Sequence, residues 1–134
     1  MLGEMIGEES GKIIGTRVLP PEGGVPKVEA TMQATGKLLG IEQTNIATIW
    51  QMARPDGTLY IEGQGVVMAK DGGNALFVGH GIGRFTGSGG VSYRGSICCQ
   101  SAVGSLERLN SMMIAWESEL DAEQNMTWRF WEWK

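Results

Sequence analysis

The sequence predicts an all-β protein, an eight-stranded antiparallel up-and-down β-barrel. Its 21 glycines follow no repeating period, its apolar segments are short, and turn-forming residues separate those segments at regular spacing. Most of the turns are short enough to join neighbouring strands as hairpins. A meander of this kind closes naturally into a barrel, because closure removes the two exposed sheet edges. A two-layer sandwich is the alternative architecture.

The size and charge of the chain narrow the class of protein. Its 134 residues fit one domain over 1–134, and no apolar run reaches the roughly 20 residues of a membrane-spanning helix. The net charge of −4 disfavours nucleic acid as a partner, because phosphate binding needs a clustered basic surface. The first residues form no export signal. We therefore expect a cytoplasmic protein with no nucleic-acid or membrane partner.

The first part of the chain contains the strongest break in the pattern. Residues 1–11 lack alternation and predict a loosely attached N-terminal arm, followed by a strand over 12–19. The segment from Pro20 to Pro26 predicts a loop, because its three prolines lack backbone donors and its two glycines permit positive φ. Strands over 27–36 and 41–53 follow.

The turn from Arg54 to Gly57 predicts the register of the third and fourth strands. Its proline presets φ, and its glycine takes the left-handed position that closes a three-residue loop with a bulge. Trp50 then lies opposite Glu62, and Met52 lies opposite Tyr60.

The turn from Lys70 to Gly73 predicts the register of the fourth and fifth strands. A three-residue loop places Gln64 opposite His80 and Tyr60 opposite Arg84. A two-residue loop would instead shift this pairing by one residue.

The rest of the chain predicts three further strands and one helical turn. A strand over 91–101 precedes a helical turn over 105–110, where two leucines are three residues apart. A polar turn then joins strands over 113–120 and 126–133. The expected pairing places Glu117 opposite Arg129 and Trp116 opposite Phe130.

Several segments resemble those of small uncharacterised bacterial proteins with an allene-oxide-cyclase-like, calycin-type barrel. These segments are Gly15–Pro20, Leu59–Gly65, Gly81–Phe85, Leu106–Asn110 and Trp131–Lys134. Allene oxide cyclases rearrange an epoxide derived from a fatty acid inside the barrel, and they assemble as trimers. Their catalytic positions have no match in this chain, so the resemblance implies the fold and not the activity. One departure is Gln124, which occupies a turn position that favours glycine.

Four polar side chains share one face of the fourth and fifth strands: Glu62, Gln64, His80 and Arg84. If that face lines the lumen, these groups form the polar end of a pocket. Its walls would then be Trp50, Tyr60, Val66, Leu76, Val78 and Ile82. We favour this arrangement, because an outward Leu76, Val78 and Ile82 would expose apolar surface.

The opposite arrangement stays open. In it, the polar groups are solvated, glycines ease the curvature, and the lumen is packed by Leu59, Ile61, Phe77 and Phe85. We expect this chain to form a homo-oligomer, and the interface would then cover the outward apolar side chains.

Glu62 and His80 are the candidate catalytic residues. A buried Glu62 could act as a general acid or base, and the plainer interpretation is an ion pair with Arg84 that fixes the register. His80 could carry a proton or could simply be a packed or exposed histidine. As the only histidine it has no cluster of further ligands, so we expect no metal.

No cofactor is implied by the remaining motifs. The segment from Gly79 to Gly83 resembles a phosphate-binding loop only in composition, because the strand-to-helix context is missing. Cys98 and Cys99 are adjacent and therefore point to opposite faces of a strand, so we expect two free thiols.

The sequence thus predicts a small-molecule-binding barrel that holds a largely apolar or amphipathic ligand in its lumen. The predicted ligand contacts are Trp50, Tyr60, Gln64, Val78, Ile82 and Arg84. One alternative is an isomerase, a cyclase or an engineered proton-transfer enzyme with a lumenal carboxylate. A structural barrel with a packed core is the other.

Overall fold

In the computed structural model, which describes residues 1–134, eight antiparallel strands form a closed barrel in sequence order, and the first strand pairs with the last. The strands are β1 (Leu2–Glu22), β2 (Val25–Leu38), β3 (Ile41–Ala53), β4 (Leu59–Ala69), β5 (Asn74–Phe85), β6 (Val91–Val103), β7 (Met113–Leu120) and β8 (Asn125–Trp133). A short 3-10 helix (Gly104–Ser111) joins β6 to β7. The predicted fold class and the predicted helical turn are therefore confirmed.

Residues 1–11 are not a loose arm but most of the first half of β1. Glu9 pairs with Gly36 of β2 on one side and with Trp128 of β8 on the other. Register shifts on the β8 side, between Leu2 and Met5 and between Met5 and Gly7, interrupt the two-residue alternation of this segment. These irregularities explain why the sequence pattern did not indicate a strand.

The proline-rich segment is also a strand rather than a loop. β1 continues to Glu22, and only Gly23 and Gly24, at φ 60° and 78°, form the turn. Beyond Lys12, β1 pairs with β2 alone, because β8 begins at Asn125. The prolines therefore lie where one edge of the strand has no partner that needs their missing N–H.

Two of the predicted registers are confirmed and one is wrong. Trp50 lies opposite Glu62, and Glu117 lies opposite Arg129. Between β4 and β5, however, Glu62 rather than Gln64 faces His80. The loop closes one residue earlier than expected, with the Ala69 amide bonded to the carbonyl oxygen beyond the turn at 2.7 Å.

The reason for that shift lies in which glycine of the turn is left-handed. Gly72 has φ 98°, so it takes the left-handed position, and Gly73 already belongs to the closing pair. The register error amounts to two residues. A shift of two keeps every side chain on its predicted face.

The assignment of the polar face of β4 and β5 to the lumen is wrong. Leu59 and Ile61 point inward and are buried, whereas Tyr60 and Glu62 alternate with them and point outward. The other predicted site residues share the outer surface: Trp50, Gln64, Val78, His80, Ile82 and Arg84. Phe85, proposed as lumenal packing in the alternative arrangement, is 66% exposed.

Several inward glycines of β4 to β6 lie against aromatic rings. A Cβ added at Gly81 or at Gly95 would come within 2.9 or 2.5 Å of the Trp116 ring. The Phe77 ring lies on Gly65 in the same way, with a closest approach of 2.5 Å. The rings that cover these glycines come from neighbouring strands, because Phe77 is the cross-strand partner of Gly65 and Trp116 is the partner of Gly95.

Aromatic rings pack against one another inside the lumen. The ring centroids of Trp116 and Trp128 are 4.7 Å apart, and Phe130 stacks on Trp128 at 6.2 Å. Leu106 and Leu109 of the 3-10 helix close one end of the barrel and are almost fully buried. No helix in the structure has the length and apolar character to cross a membrane.

Candidate functional site

The lumen contains one buried polar cluster, which consists of one carboxyl group on β1 and two amide groups on β3. Glu9 is only 6% exposed, and its two carboxylate oxygens accept hydrogen bonds from Gln43 Nε2 at 2.7 Å and Asn45 Nδ2 at 2.8 Å. Gly36 belongs to β2, which lies between β1 and β3, and it is the cross-strand partner of both Glu9 and Gln43. A Cβ on this glycine would approach Glu9 Cβ to 2.8 Å, so the absence of a side chain lets the cluster form.

Burial controls the chemistry of this acid. Loss of hydration raises the pKa of Glu9 above its ordinary value of 4.5, and the hydrogen bonds from Gln43 and Asn45 offset part of that increase. The amide groups can serve either protonation state, because turning an amide by 180° replaces its donor with its acceptor. The cluster is thus suited to hold a proton or to release one.

Two small cavities adjoin the cluster, each with a volume of about 30 Å³. The first is lined by Glu9 and Asn45 together with Trp116 and Trp128, and the second lies toward the 3-10 helix at Leu109. Phe77 borders both cavities, as do Glu9, Asn45, Ile97 and Phe130. Each volume accommodates about one or two water molecules.

Four buried polar atoms near this region have no hydrogen-bond partner: Gln43 Oε1, Asn45 Oδ1, Trp116 Nε1 and Ser118 Oγ. Such atoms normally find a partner in the protein, in water or in a ligand. Asn45 and Trp116 both line the first cavity, and they offer one acceptor and one donor. A polar group bound there would satisfy both.

A third cavity, of about 80 Å³, lies at the end of the barrel opposite the 3-10 helix. Ile49 lines it and also lines the first cavity. Tyr93 borders the third cavity from the lumen, where its hydroxyl donates to Gln51 Oε1 at 2.9 Å. Burial raises the pKa of Tyr93 to about 12, so it stays a hydrogen-bond donor over the physiological range.

The predicted site residues form a second cluster on the outer surface. The Tyr60 hydroxyl donates to Glu62 Oε1 at 2.9 Å and lies 3.4 Å from His80 Nδ1. The phenol has one hydrogen, so when Tyr60 donates to Glu62 a hydrogen bond with His80 requires a hydrogen on Nδ1. Trp50 packs against Tyr60 with centroids 5.7 Å apart, and Lys27 Nζ lies 4.2 Å above the Trp50 ring.

The remaining predicted contacts lie around this outer cluster. Gln64 pairs with Val78 one step along the strands, and Ile82 pairs with Tyr60. Arg84 lies opposite Ser92 of β6 and forms no ion pair with Glu62.

The first lumenal cavity reaches the chain at Glu62 and His80, whose side chains point outward. Beside these two residues, Gly63 pairs with Gly79, and isoleucines of β3 and β6 lie over the two glycines on the inner side. The wall between the inner cavity and the outer cluster therefore consists of backbone and of these isoleucine side chains.

Sequence reasoning missed Glu9, Gln43 and Asn45. Gln43 and Asn45 are two residues apart in a strand and therefore share a face, which was the only available signal. Glu9 gave no signal, because its segment was assigned to an arm.

Both cysteines are free, as expected. Burial is the larger cause, and the neighbouring Cys98 the smaller one, that raises the pKa of Cys99 to about 11. That value argues against a nucleophilic thiolate.

The chain matches no protein-family model and no curated protein. Solved structures share its fold. A protein of unknown function from Clostridium acetobutylicum superposes with a TM-score of 0.82 at 11% identity, covering 98% of each chain. A conserved protein of unknown function from Rhodopseudomonas palustris gives 0.80 at 12% identity and covers 99% of each chain. A β-barrel-like protein from Acinetobacter baumannii gives 0.82 at 10% identity, covering 100% of this chain and 96% of the other.

These similarities establish a barrel shared with uncharacterised proteins. At this level of identity they carry the fold and no activity. Membership of the allene-oxide-cyclase-like family stays a prediction.

Proposed function

We propose that the barrel binds one small, largely apolar molecule in its lumen and holds the polar group of that molecule at Glu9, Gln43 and Asn45. The observation that carries this proposal is a buried carboxyl group, held by two amides, beside a cavity whose other walls are mainly apolar and aromatic. Ligand sites commonly have this composition, with few polar groups that fix orientation and apolar walls that supply contact area.

The unpartnered atoms indicate the chemistry of the polar group. Asn45 Oδ1 needs a donor, and Trp116 Nε1 needs an acceptor. A hydroxyl group or a protonated carboxyl group offers both functions. The favoured ligand is therefore an aliphatic or aromatic alcohol or acid.

Binding such a molecule requires more room than either cavity offers. Phe77 lines both lumenal cavities, and we expect a change of its rotamer to join them. The third cavity, at the end of the barrel away from the 3-10 helix, shares Ile49 with the first cavity. We therefore expect the ligand to enter from that end and to displace the Phe77 ring.

A proton-transfer enzyme is the second candidate function, and the raised pKa of Glu9 favours it. A buried carboxylic acid beside an enclosed apolar space can exchange a proton with a bound molecule. Glu9, rather than Glu62, would then be the lumenal carboxylate. Glu62 and His80 are candidates only for a substrate bound on the outer surface.

The test uses 1-octanol as a probe and the fluorescence of Trp116 and Trp128, which line the first cavity. We expect saturable binding to the wild-type protein and tighter binding to Phe77→Ala, in which the two cavities are joined. Glu9→Gln should weaken binding about 10-fold, because a hydrogen bond to a charged or acidic group is worth about 1.5 kcal/mol or more.

Glu8→Gln is the matched control. It makes the same chemical change one residue away, at a side chain that faces outward, and it should leave binding unchanged. If neither the wild-type protein nor Phe77→Ala binds 1-octanol, the lumen is a packed core and the proposal is wrong. Equal effects of the two glutamate substitutions would remove Glu9 from the site.

A further inference from the structure

One side of the outer surface carries no charged residue. Outward side chains of neighbouring strands form rows across the barrel wall. Three successive rows that cross β3 to β6 contain only apolar or uncharged polar side chains, and the third row continues onto β7, β8 and β1. We call these positions the apolar face: Thr44, Met68, Asn74, Val103; Ile46, Val66, Leu76, Ser101; Thr48, Gln64, Val78, Cys98, Met113, Trp133 and Leu2. Neighbours within each row are cross-strand partners, so the face is continuous.

Solvent reaches the large side chains of this face. Trp133 is 58% exposed, Met68 59%, and Ile46 51%. Most of the other exposed large apolar side chains of the molecule lie on the same face. A monomeric protein rarely leaves so many neighbouring apolar side chains in water.

The rest of the outer surface is different. A row of alternating charges crosses β6 to β8 and continues onto β1 to β3: Arg94, Glu117, Arg129, Glu8, Lys37 and Glu42. We call it the charge belt. Arg94 Nε lies 3.3 Å from Glu117, and Lys70 Nζ extends the row at 3.2 Å from Glu42. Charge is thus excluded from one part of the wall and concentrated in another.

We infer that the apolar face is the docking surface for a second copy of this chain. In a two-fold contact the same surface meets itself, so a charged patch would oppose like charges, whereas an uncharged face does not. Its composition also fits, because interface cores are depleted of charge and enriched in Trp and Met.

The area of the face supports the same occupant. With strands about 4.8 Å apart and a two-residue repeat of about 6.8 Å, each outward position occupies about 33 Å², and the face offers about 500 Å². Outward Met5, Ala115 and Trp131 form the next row and enlarge it. The total of about 600 Å² per partner matches the lower end of stable interfaces, which bury about 1,200 Å² over both partners.

The first test measures the mass of the full chain in solution by sedimentation equilibrium over a range of protein concentrations. We expect twice the chain mass of 14.5 kDa. Val78→Lys puts a charge at the centre of the face and should raise the dissociation constant at least about 100-fold, because a buried unpaired charge is strongly destabilising. Thr127→Lys is the matched control, since Thr127 is exposed on the outer surface of β8 beside Glu119 and lies three strands away from Thr44 at the edge of the face.

The second test uses the two cysteines. Cys98 is half-buried on the apolar face, and Cys99 faces the lumen. Alkylation of Cys98 should slow at least 10-fold as the chain concentration rises through the dissociation constant, and Val78→Lys should abolish that protection. Cys99 should react slowly throughout.

Two results would overturn the inference. One is a mass of 14.5 kDa at every concentration together with unprotected Cys98, which is also the outcome expected if the face binds a different protein or a lipid surface. The other is a dimer whose dissociation constant Val78→Lys and Thr127→Lys change equally, which would place the interface elsewhere.

Discussion

The lumenal cluster at Glu9 and the outer cluster at Glu62 are built from similar groups and differ in their access to water. Glu9 accepts two hydrogen bonds from amides and is 6% exposed, whereas Glu62 accepts one from Tyr60 at the surface. Bulk water can replace the partner of Glu62, whereas Glu9 can meet at most the one or two water molecules that each adjoining cavity accommodates. The chemistry that a glutamate can perform in this barrel therefore depends on which side of the wall it lies, because both clusters contain the same type of acid.

The largest expected difference between the clusters is in stability. Glu9→Ala leaves the amides of Gln43 and Asn45 without their acceptors, and it should lower the free energy of unfolding by about 2 to 4 kcal/mol. Glu62→Ala removes only solvated contacts and should cost less than about 1 kcal/mol. Urea denaturation at fixed protein concentration measures both. Equal losses would show that the lumenal cluster contributes no more to the free energy of unfolding than the outer cluster does.

The next difference is in pH dependence. The folded-state pKa of Glu9 lies above 4.5, so the native protein binds more protons than the unfolded chain between 4.5 and that raised value. The stability contributed by protonated Glu9 is complete below pH 4.5 and is lost as the pH rises through the folded-state pKa. The slope is at most about 1.4 kcal/mol per pH unit.

Comparison of variants isolates this contribution from that of the other carboxylates. Relative to the wild-type protein, Glu9→Gln should flatten the decline in unfolding free energy, measured by urea denaturation at a series of pH values. Glu62→Gln should retain the decline. A decline that persists in Glu9→Gln would assign it to another group.

The smallest effect concerns the outer cluster. Tyr60→Phe removes the hydroxyl between Glu62 and His80 and should cost about 0.5 kcal/mol or less, because water replaces its contacts. Nitrogen-15 NMR of the His80 ring gives a sharper result. We expect the hydrogen on Nδ1 in the wild-type protein and a change of tautomer in Tyr60→Phe, whereas the same spectrum in both would contradict the hydrogen-bonded chain.

Local sequence signals were sufficient for much of the fold. The turn at Arg54 to Gly57 fixed the pairing of Trp50 with Glu62, because a proline and a left-handed glycine allow one loop geometry. The strained position expected at Gln124 is also present, with φ 70°. Turn chemistry is local, and a single sequence is enough to read it.

The face of the strands could not be read in this way. The inward positions of β4 and β5 include glycines, and the rings that cover them come from Trp116 and Phe77, which the local pattern does not connect to those glycines. Val78 and Leu76 are apolar, so the sequence pattern assigned them to the lumen, but both are exposed on the outer surface. Similarly, Glu9 meets Gln43 only across an intervening strand, a relation set by closure of the sheet.

The rings that lie on bare backbone also restrict how this barrel can evolve. Between residues 62 and 84, the inward positions Gly65 and Gly81 have almost no space for a side chain. The outward side chains that alternate with the inward positions meet water. Tolerance to substitution should therefore alternate with every residue along these strands. A lineage could acquire new partners on the outside through many small changes, while the shape of the lumen would change only through rare, coordinated replacements of a glycine and its ring.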